Sequence, residues 1–378
     1  MSLTVNALKV LRRRVLRNHY GEKDESPDEA FMRVARVVAA AERFYGKHES
    51  KVEQVEQQFF EIQKNLEFLA GKPLIQAGRP HKTMAACFVL PVEDSMESIF
   101  STLKDNILVL KSGGGTGFNF SHLRSRDQRV GSSGEPAAGP VYFLKMYSQA
   151  AKVVRDRGGR QMGSMAILNA NHPDIKSFID LKVEDPGISN FNLSVGVSDQ
   201  FMRKVGLKGE NWPLLDPHSQ KILEKISAQE LFNCIAKRAW ENGDPGLLFL
   251  DTTEKGNVTP SLGKLEATNV CGEQPLLPYE ACNLGHVVLP SFCQNGQVDF
   301  KRLEGVVRLG VRFLDDVIDV NYYSLTKIEE MCKGNRKIGL GVMGFADLLI
   351  KMGIAYDSRE AVEMAEKIMS FITQTARD

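Results

Sequence analysis

From about residue 82 onward the chain alternates short apolar runs with amphipathic stretches of helical period, and that rhythm limits the folds open to it. Cys87-Phe88-Val89-Leu90 reads as a strand, 95–110 as a helix opened by Asp94-Ser95, 137–155 as a helix and 164–168 as a strand. The pattern continues with a helix at 172–183 behind His172-Pro173 and the alternating strand Phe191-Asn192-Leu193-Ser194-Val195. A helix at 228–241 and a strand at Leu247–Leu250 follow, the latter after Asp244-Pro245-Gly246. Parallel neighbours need a crossover between them, so this alternation predicts an α/β domain with mostly parallel strands and sites at strand ends.

Residues 1–72 have a different texture and read as helical. Ser26-Pro27-Asp28-Glu29 combines a capping serine, a proline at the first helical position and a glutamate at the third, which is a capping box. Phe31, Val34, Val38, Ala41 and Phe44/Tyr45 then recur at helical spacing, and Gly46 can end the helix. A second helix is expected from about Ser50 to Ala70, with Val52, Val55, Phe59, Ile62, Leu66 and Leu69 on one face and Gly71 and Pro73 stopping it. The expected organisation is a helical N-terminal domain at 1–75 and an α/β domain at 76–378.

Bulk properties exclude several function classes. The 378 residues, 43% of them hydrophobic, suffice for one large core or two domains. A net charge of +1 leaves no electrostatic footprint for nucleic acid or an anionic membrane, and Arg12-Arg13-Arg14 reads as a solvated helix face. No uncharged apolar run reaches about 18 residues, so no transmembrane helix is predicted. Arginines interrupt the N-terminus where a signal peptide would need an apolar core, which places the protein in the cytosol. The cysteines at 87, 234, 271, 282, 293 and 332 form no CxxC pair, so no structural metal is expected. In a cytosolic chain they serve as small buried hydrophobes unless they do redox or nucleophilic work.

Three segments carry chemistry. Ser112-Gly113-Gly114-Gly115-Thr116-Gly117 reads as a glycine loop that fits neither GxGxxG nor GxxxxGK[ST]. It signals close backbone approach, to a ligand or to another strand. Arg155-Asp156-Arg157-Gly158-Gly159-Arg160 is a cationic loop, read either as a solvated turn or as a mobile contact to phosphate or base. The third segment, Glu266 to Gly285, holds Asn269, Cys271, Glu273 and Cys282. If it is extended, Asn269, Cys271 and Glu273 point the same way. A carboxylate neighbour disfavours a thiolate, so protease-like nucleophilic chemistry fits badly. A thiol that donates and accepts a hydrogen atom needs no thiolate, and it sits naturally beside a base (Glu273) and a hydrogen-bonding anchor (Asn269).

Taken together, these stretches resemble the large catalytic chain of ribonucleotide reductase, most closely the N-terminal portion of the adenosylcobalamin-dependent, class II type. The resemblance is carried by ACFVLPVEDSMESIF (86–100), SGGGTGFNFSHLR (112–124), AAGPVYFLK (137–145), NHPDIKSFIDLK (171–182), FNLSVGVSDQFM (191–202), GDPGLLFLD (243–251), NVCGEQPLLPYEACNLG (269–285) and KIGLGVMGFADLL (337–349). It implies a helical N-terminal domain followed by the first half, with the finger loop, of a ten-stranded α/β barrel. Cys271 then matches the thiyl-radical cysteine that takes the 3′ hydrogen of the ribose, Glu273 the base for the 3′-hydroxyl, and Asn269 the side chain that holds the ribose hydroxyls. Cys87 and Cys282 match the pair that delivers two electrons and ends as a disulfide, which requires Cα atoms within about 7 Å and hence neighbouring strands. Cys234, Cys293 and Cys332 match none of these roles.

The same resemblance implies further partners. Asp94, Arg155 and Arg160 are expected to contact a specificity effector, a deoxynucleotide or ATP, with loop 155–164 relaying its identity to the substrate. Gly114, Gly115, Thr116 and Gly117 are expected at the cofactor, adenosylcobalamin, and no metal ligand is expected. A thioredoxin-like dithiol, a homodimer partner and a separate C-terminal half-chain complete the set; the ATP-cone, the second half-barrel with its phosphate loop and the C-terminal cysteine pair have no counterpart in 1–378. Val270 departs from the family's usual proline or leucine, and His286-Val287-Val288 from its usual Ser-Ile-Asn. Two alternatives stand beside the catalytic reading: a non-catalytic dimeric fragment that binds deoxynucleotides, and a class I large subunit.

Overall fold

The computed structural model describes residues 3–16, 24–131, 134–154, 162–207 and 209–378. They divide into two compact units, Met1–Ala86 with Cys282–Asp378, and Cys87–Ala281.

The first unit opens with helices. Pro27–Ala39 carries the expected capping box: the Ser26 hydroxyl accepts from the Glu29 N–H and the Glu29 carboxylate accepts from the Ser26 N–H. Gly46, at φ +70°, closes the tight turn that follows. The next helix, Glu49–Lys64, is shorter than the expected Ser50–Ala70. Leu66 turns to a positive φ of 54°, and Phe68–Ala70 forms strand β1, antiparallel to a later segment of the same unit with Phe68 opposite Val287 and Ala70 opposite Gly285. Leu66 and Leu69 keep helical spacing by coincidence, while strand pairing decides the backbone.

The second unit is the expected α/β half-barrel. Strands β2 (Cys87–Val89), β3 (Gly115–Asn119), β4 (Ser164–Asn169) and β5 (Phe191–Val197) pair in parallel. An antiparallel hairpin of β6 (Asn211–Leu215) and β7 (Ile222–Ser227) follows, and then β8 (Gly246–Phe249), parallel to β5. Helices Met96–Ser112, Pro140–Ala151, Ile175–Glu184 and Ala228–Asn242 supply the crossovers. Phe118 and Phe120 of the β3 segment meet Tyr147 edge to face at 5.4 and 5.6 Å, and the Tyr147 hydroxyl donates to the Ile99 carbonyl at 2.6 Å. Burying these rings fixes two helices onto one strand. The unit ends in a short hairpin, β9 (Ala267–Thr268) with β10 (Pro275–Leu276).

The chain then returns to the first unit. There β11 (Ala281–Val288) runs parallel to the later strand β14, while β12 (Cys293–Gln294) and β13 (Gln297–Val298) form a small hairpin; β14 spans Ile338–Met343. Helix Phe300–Val320 places Leu303, Val306, Val307, Gly310, Phe313, Leu314 and Val317 on one buried face. Phe313 meets Phe59 at 5.1 Å and Phe68 at 5.3 Å, so this helix joins the N-terminal helices and β1 in one core. Truncating so buried an aromatic ring costs about 3–5 kcal/mol. Among the described residues no helix is long and apolar enough to cross a membrane.

Candidate active site

The segment from Glu266 is a hairpin and not the single extended strand that would point Asn269, Cys271 and Glu273 one way. Thr268 pairs with Pro275 and Ala267 with Leu276, and the tip between them is turned by Asn269. The Asn269 N–H donates to the Gln274 carbonyl at 3.1 Å, the Gln274 N–H donates to Asn269 Oδ1 at 3.0 Å, and the Gly272 N–H reaches the Asn269 carbonyl at 3.3 Å. Gly272 adopts φ +86°, a conformation that glycine alone takes without penalty. Cys271, Gly272 and Glu273 are therefore exposed at the tip, while Thr268 and Asn269 are buried at its base.

Two of the expected residues converge on a third. Asn269 Nδ2 donates to Cys87 Sγ at 3.0 Å, and Cys87 Sγ lies 3.9 Å from Glu273 Oε1. Cys87 is buried on β2, next to Gly115 of β3. The amide and the carboxylate thus meet a sulfur, but it is that of Cys87 and not, as extended alternation implied, that of Cys271. Cys282 is buried on β11 in the other unit, where its Sγ donates to the Asn283 carbonyl at 3.2 Å. Within that unit, the N–H of Ala86, the residue before Cys87, donates to the Cys282 carbonyl at 3.0 Å. Of the remaining cysteines, Cys332 is buried and Cys234 and Cys293 are half-buried.

The glycine run corrects an expectation. It is not a loop: Gly113, at φ +102°, caps helix Met96–Ser112, and Gly115–Asn119 is the fully buried strand β3. A Cβ on Gly114 would fall 2.4 Å from the Phe88 ring, and one on Gly117 would fall 1.7 Å from the Thr268 carbonyl oxygen. Thr116 is wholly buried, its hydroxyl bonded to Asn106 Oδ1 and Ser164 Oγ, each at 2.8 Å. Gly114, Gly115, Thr116 and Gly117 therefore meet protein, and they do not fit a cofactor cradle. Gly117 instead lets the hairpin backbone lie against β3. Cys271, by contrast, presents an exposed side chain at the hairpin tip.

Side chains that the sequence did not single out secure the hairpin. Asn119 Nδ2 donates to the Glu266 carbonyl at 3.0 Å, and Asn192 Nδ2 donates to the Val270 carbonyl at 2.8 Å. His122 Nε2 lies 2.9 Å from Glu266 Oε2, with Glu93 3.7 Å from its other ring nitrogen. The hydrogen bond to Glu266 raises the His122 pKa against the opposing effect of burial, and the same bond lowers that of Glu266. These partners lie far apart in sequence, so no local pattern marks them.

Asp94 sits just before helix Met96–Ser112, nearly buried and already engaged. Its Oδ1 accepts from the Arg124 N–H at 3.2 Å, and its Oδ2 accepts from Arg124 Nε at 2.6 Å and His218 Nε2 at 2.5 Å. Arg155 and Arg160 lie outside the described residues.

Comparison with known proteins agrees with this architecture. The family model "Ribonucleotide reductase, barrel domain" matches residues 85–378, and "Ribonucleotide reductase, all-alpha domain" matches 1–82. A vitamin B12-dependent ribonucleoside-diphosphate reductase from Mycobacterium tuberculosis is 47% identical over 379 residues, covering 100% of this chain and 54% of its own length. One of the same name from Thermoplasma acidophilum is 41% identical, covering 98% of this chain and 56% of its own length. A ribonucleoside-diphosphate reductase large subunit from Vaccinia virus is 31% identical over 337 residues, 80% of this chain and 43% of that protein. The chain thus spans about half the length of these two B12-dependent relatives. Matched through both its helical and its half-barrel parts, the chain belongs to the ribonucleotide reductase large-subunit family.

Proposed function

We propose that the chain is the N-terminal part of an adenosylcobalamin-dependent ribonucleotide reductase and carries the residues that reduce the ribose. The observation that carries this reading is the convergence of Asn269 and Glu273 on buried Cys87, on the hairpin that exposes Cys271. The higher identity to proteins named B12-dependent reductases, 47% against 31% for the viral large subunit, favours class II over class I. The relatives' names make a ribonucleoside diphosphate the substrate of choice.

The cofactor, when bound, supplies the chemistry that removes the hydrogen atom from Cys271 Sγ. Every later step belongs to the chain's own side chains. The Cys271 sulfur takes the 3′ hydrogen of the ribose while Glu273 accepts the 3′-hydroxyl proton and Asn269 holds the hydroxyls. The 2′-hydroxyl leaves as water with a proton from the Cys87 side. Cys87 and Cys282 give up two electrons and close a disulfide, and Cys271 returns the hydrogen atom to C3′. The sum is balanced: ribonucleotide and dithiol become deoxyribonucleotide, disulfide and water. A thioredoxin-type dithiol would restore the pair.

Two further roles belong to this reading. Asp94 contacts a nucleotide effector. Helix Met96–Ser112, with Met96 and Phe100 exposed one turn apart, takes part in a homodimer. The test is reconstitution of the chain with the C-terminal portion its relatives possess, adenosylcobalamin, a dithiol and a ribonucleoside diphosphate. Deoxynucleotide should form with the native chain and fall at least about a thousandfold with Cys271→Ala. Product formation that survives Cys271→Ala would refute the assignment.

A further inference from the structure

The β6–β7 hairpin reaches, through its turn, the carboxylate of Asp94. Its arms are fastened to the end of β4: Trp212 Nε1 donates to the Ala170 carbonyl at 3.0 Å and the Leu215 N–H to the Asn171 carbonyl at 2.8 Å. The turn is braced from within by Asp216, whose Oδ1 accepts from the N–H groups of His218 at 3.1 Å and Ser219 at 2.6 Å. Its other oxygen is held by Gln128 Nε2. Burial opposes ionisation of Asp216, but the bonds from Ser219, Gln128 and His218 outweigh it and hold its pKa below the ordinary value. A turn this well tied presents His218 in one place, with Nε2 2.5 Å from Asp94 Oδ2.

A carboxylate offers about four acceptor positions. Three on Asp94 are taken: the Arg124 N–H on Oδ1, and Arg124 Nε with His218 Nε2 on Oδ2. The pattern saturates one oxygen and leaves a single acceptor position on the other, so the carboxylate cannot rotate without breaking charge-assisted bonds. We propose that His218 is a positioning residue for the nucleotide-effector contact: it fixes Asp94 so that the remaining Oδ1 lone pair accepts from a hydroxyl of the effector's ribose. The inference rests on the reading of Asp94 as that contact. It also gives the β6–β7 hairpin a role, since the hairpin ties Asp94 to the end of a barrel strand.

Calorimetric titration of deoxythymidine triphosphate into the full-length protein tests it with four variants. Asp94→Asn should weaken binding most. His218→Ala should weaken it about tenfold, the effect of losing one hydrogen bond to a charged group. His218→Gln, which retains an N–H donor, should recover part of the loss. The double variant Asp94→Asn/His218→Ala should bind no more weakly than Asp94→Asn alone, because His218 acts only through Asp94. His218 is half-exposed, so the melting temperature of His218→Ala should stay within about 2 °C of the native value. Native-like or tighter binding by His218→Ala, with binding lost in Asp94→Asn, would overturn the positioning role while sparing the effector reading. Undiminished binding by Asp94→Asn would overturn both.

Discussion

The base and the tip of the finger hairpin are built on opposite principles. At the base, backbone lies against backbone: Gly117 has no room for a methyl group beside the Thr268 carbonyl, and Asn119 and Asn192 tie down the carbonyls of Glu266 and Val270. At the tip the packing is open: Cys271, Gly272 and Glu273 are exposed, and Gly272 has a positive φ with nothing within 4 Å of a built Cβ. Cys271 therefore rides exposed on a support that is packed from below. The difference teaches that the two ends should fail differently. Tip changes should remove chemistry and leave the fold, whereas base changes should damage the fold and carry the chemistry away with it.

The largest expected effect separates the two most cleanly. Cys271→Ala should abolish deoxynucleotide formation in the reconstituted enzyme while the melting temperature moves by no more than about 1 °C, because an exposed side chain contributes little to stability. A large drop in melting temperature would mean that Cys271 packs. Gly117→Ala should do the reverse, costing about 3 kcal/mol in chemical denaturation, since a buried Cβ must displace the hairpin backbone. Native stability in that variant would mean that the hairpin does not lie on β3. Gly272→Ala should cost roughly 1–2 kcal/mol through its backbone conformation alone, read from the same denaturation curves.

The smallest effect is a pH dependence at the base. The His122 pKa is raised by Glu266, so the pair stabilises the hairpin fully below the unfolded histidine value of 6.5 and loses that contribution as pH rises through the folded one. Both side chains are partly exposed, which limits the effect to under about 1 kcal/mol. Amide exchange across Ala267–Leu276, corrected for its intrinsic pH dependence, should therefore speed up modestly as pH rises above the unfolded histidine value in the native chain. The same change should be missing in His122→Ala. An unchanged pH response in that variant would remove His122 from the base.

Periodicity alone located most elements that carry the site. The strand at Cys87 and β4 were readable as short apolar runs, β5 from its alternation, and the helix capped by Ser95 and the helix over 228–241 from apolar spacing on one face. The capping box at Ser26 was readable for the same local reason. What the sequence hid is non-local. Leu66 and Leu69 extend a helical pattern, yet β1 exists because Phe68 and Ala70 find Val287 and Gly285 across the unit. The glycines at 114–117 read equally as a ligand loop or as a close approach, and only the positions of Phe88 and Thr268 decide for the second. His122, Asn192 and His218 left no signal, since their partners Glu266, Val270 and Asp94 stand far from them in the chain. The resemblance to ribonucleotide reductases reached Asn269, Cys271 and Glu273 because those residues fall within one short motif.

In the proposed reaction Cys271 starts the chemistry and Cys87 and Cys282 supply its two electrons. This assignment is tested most directly by one turnover of the full-length enzyme without external dithiol, followed by thiol blocking and peptide mapping of disulfides. A Cys87–Cys282 cross-link should form in proportion to the deoxynucleotide, with neither cross-link nor product in Cys271→Ala. Product formed with Cys87 and Cys282 still recovered as blocked thiols would contradict the assignment.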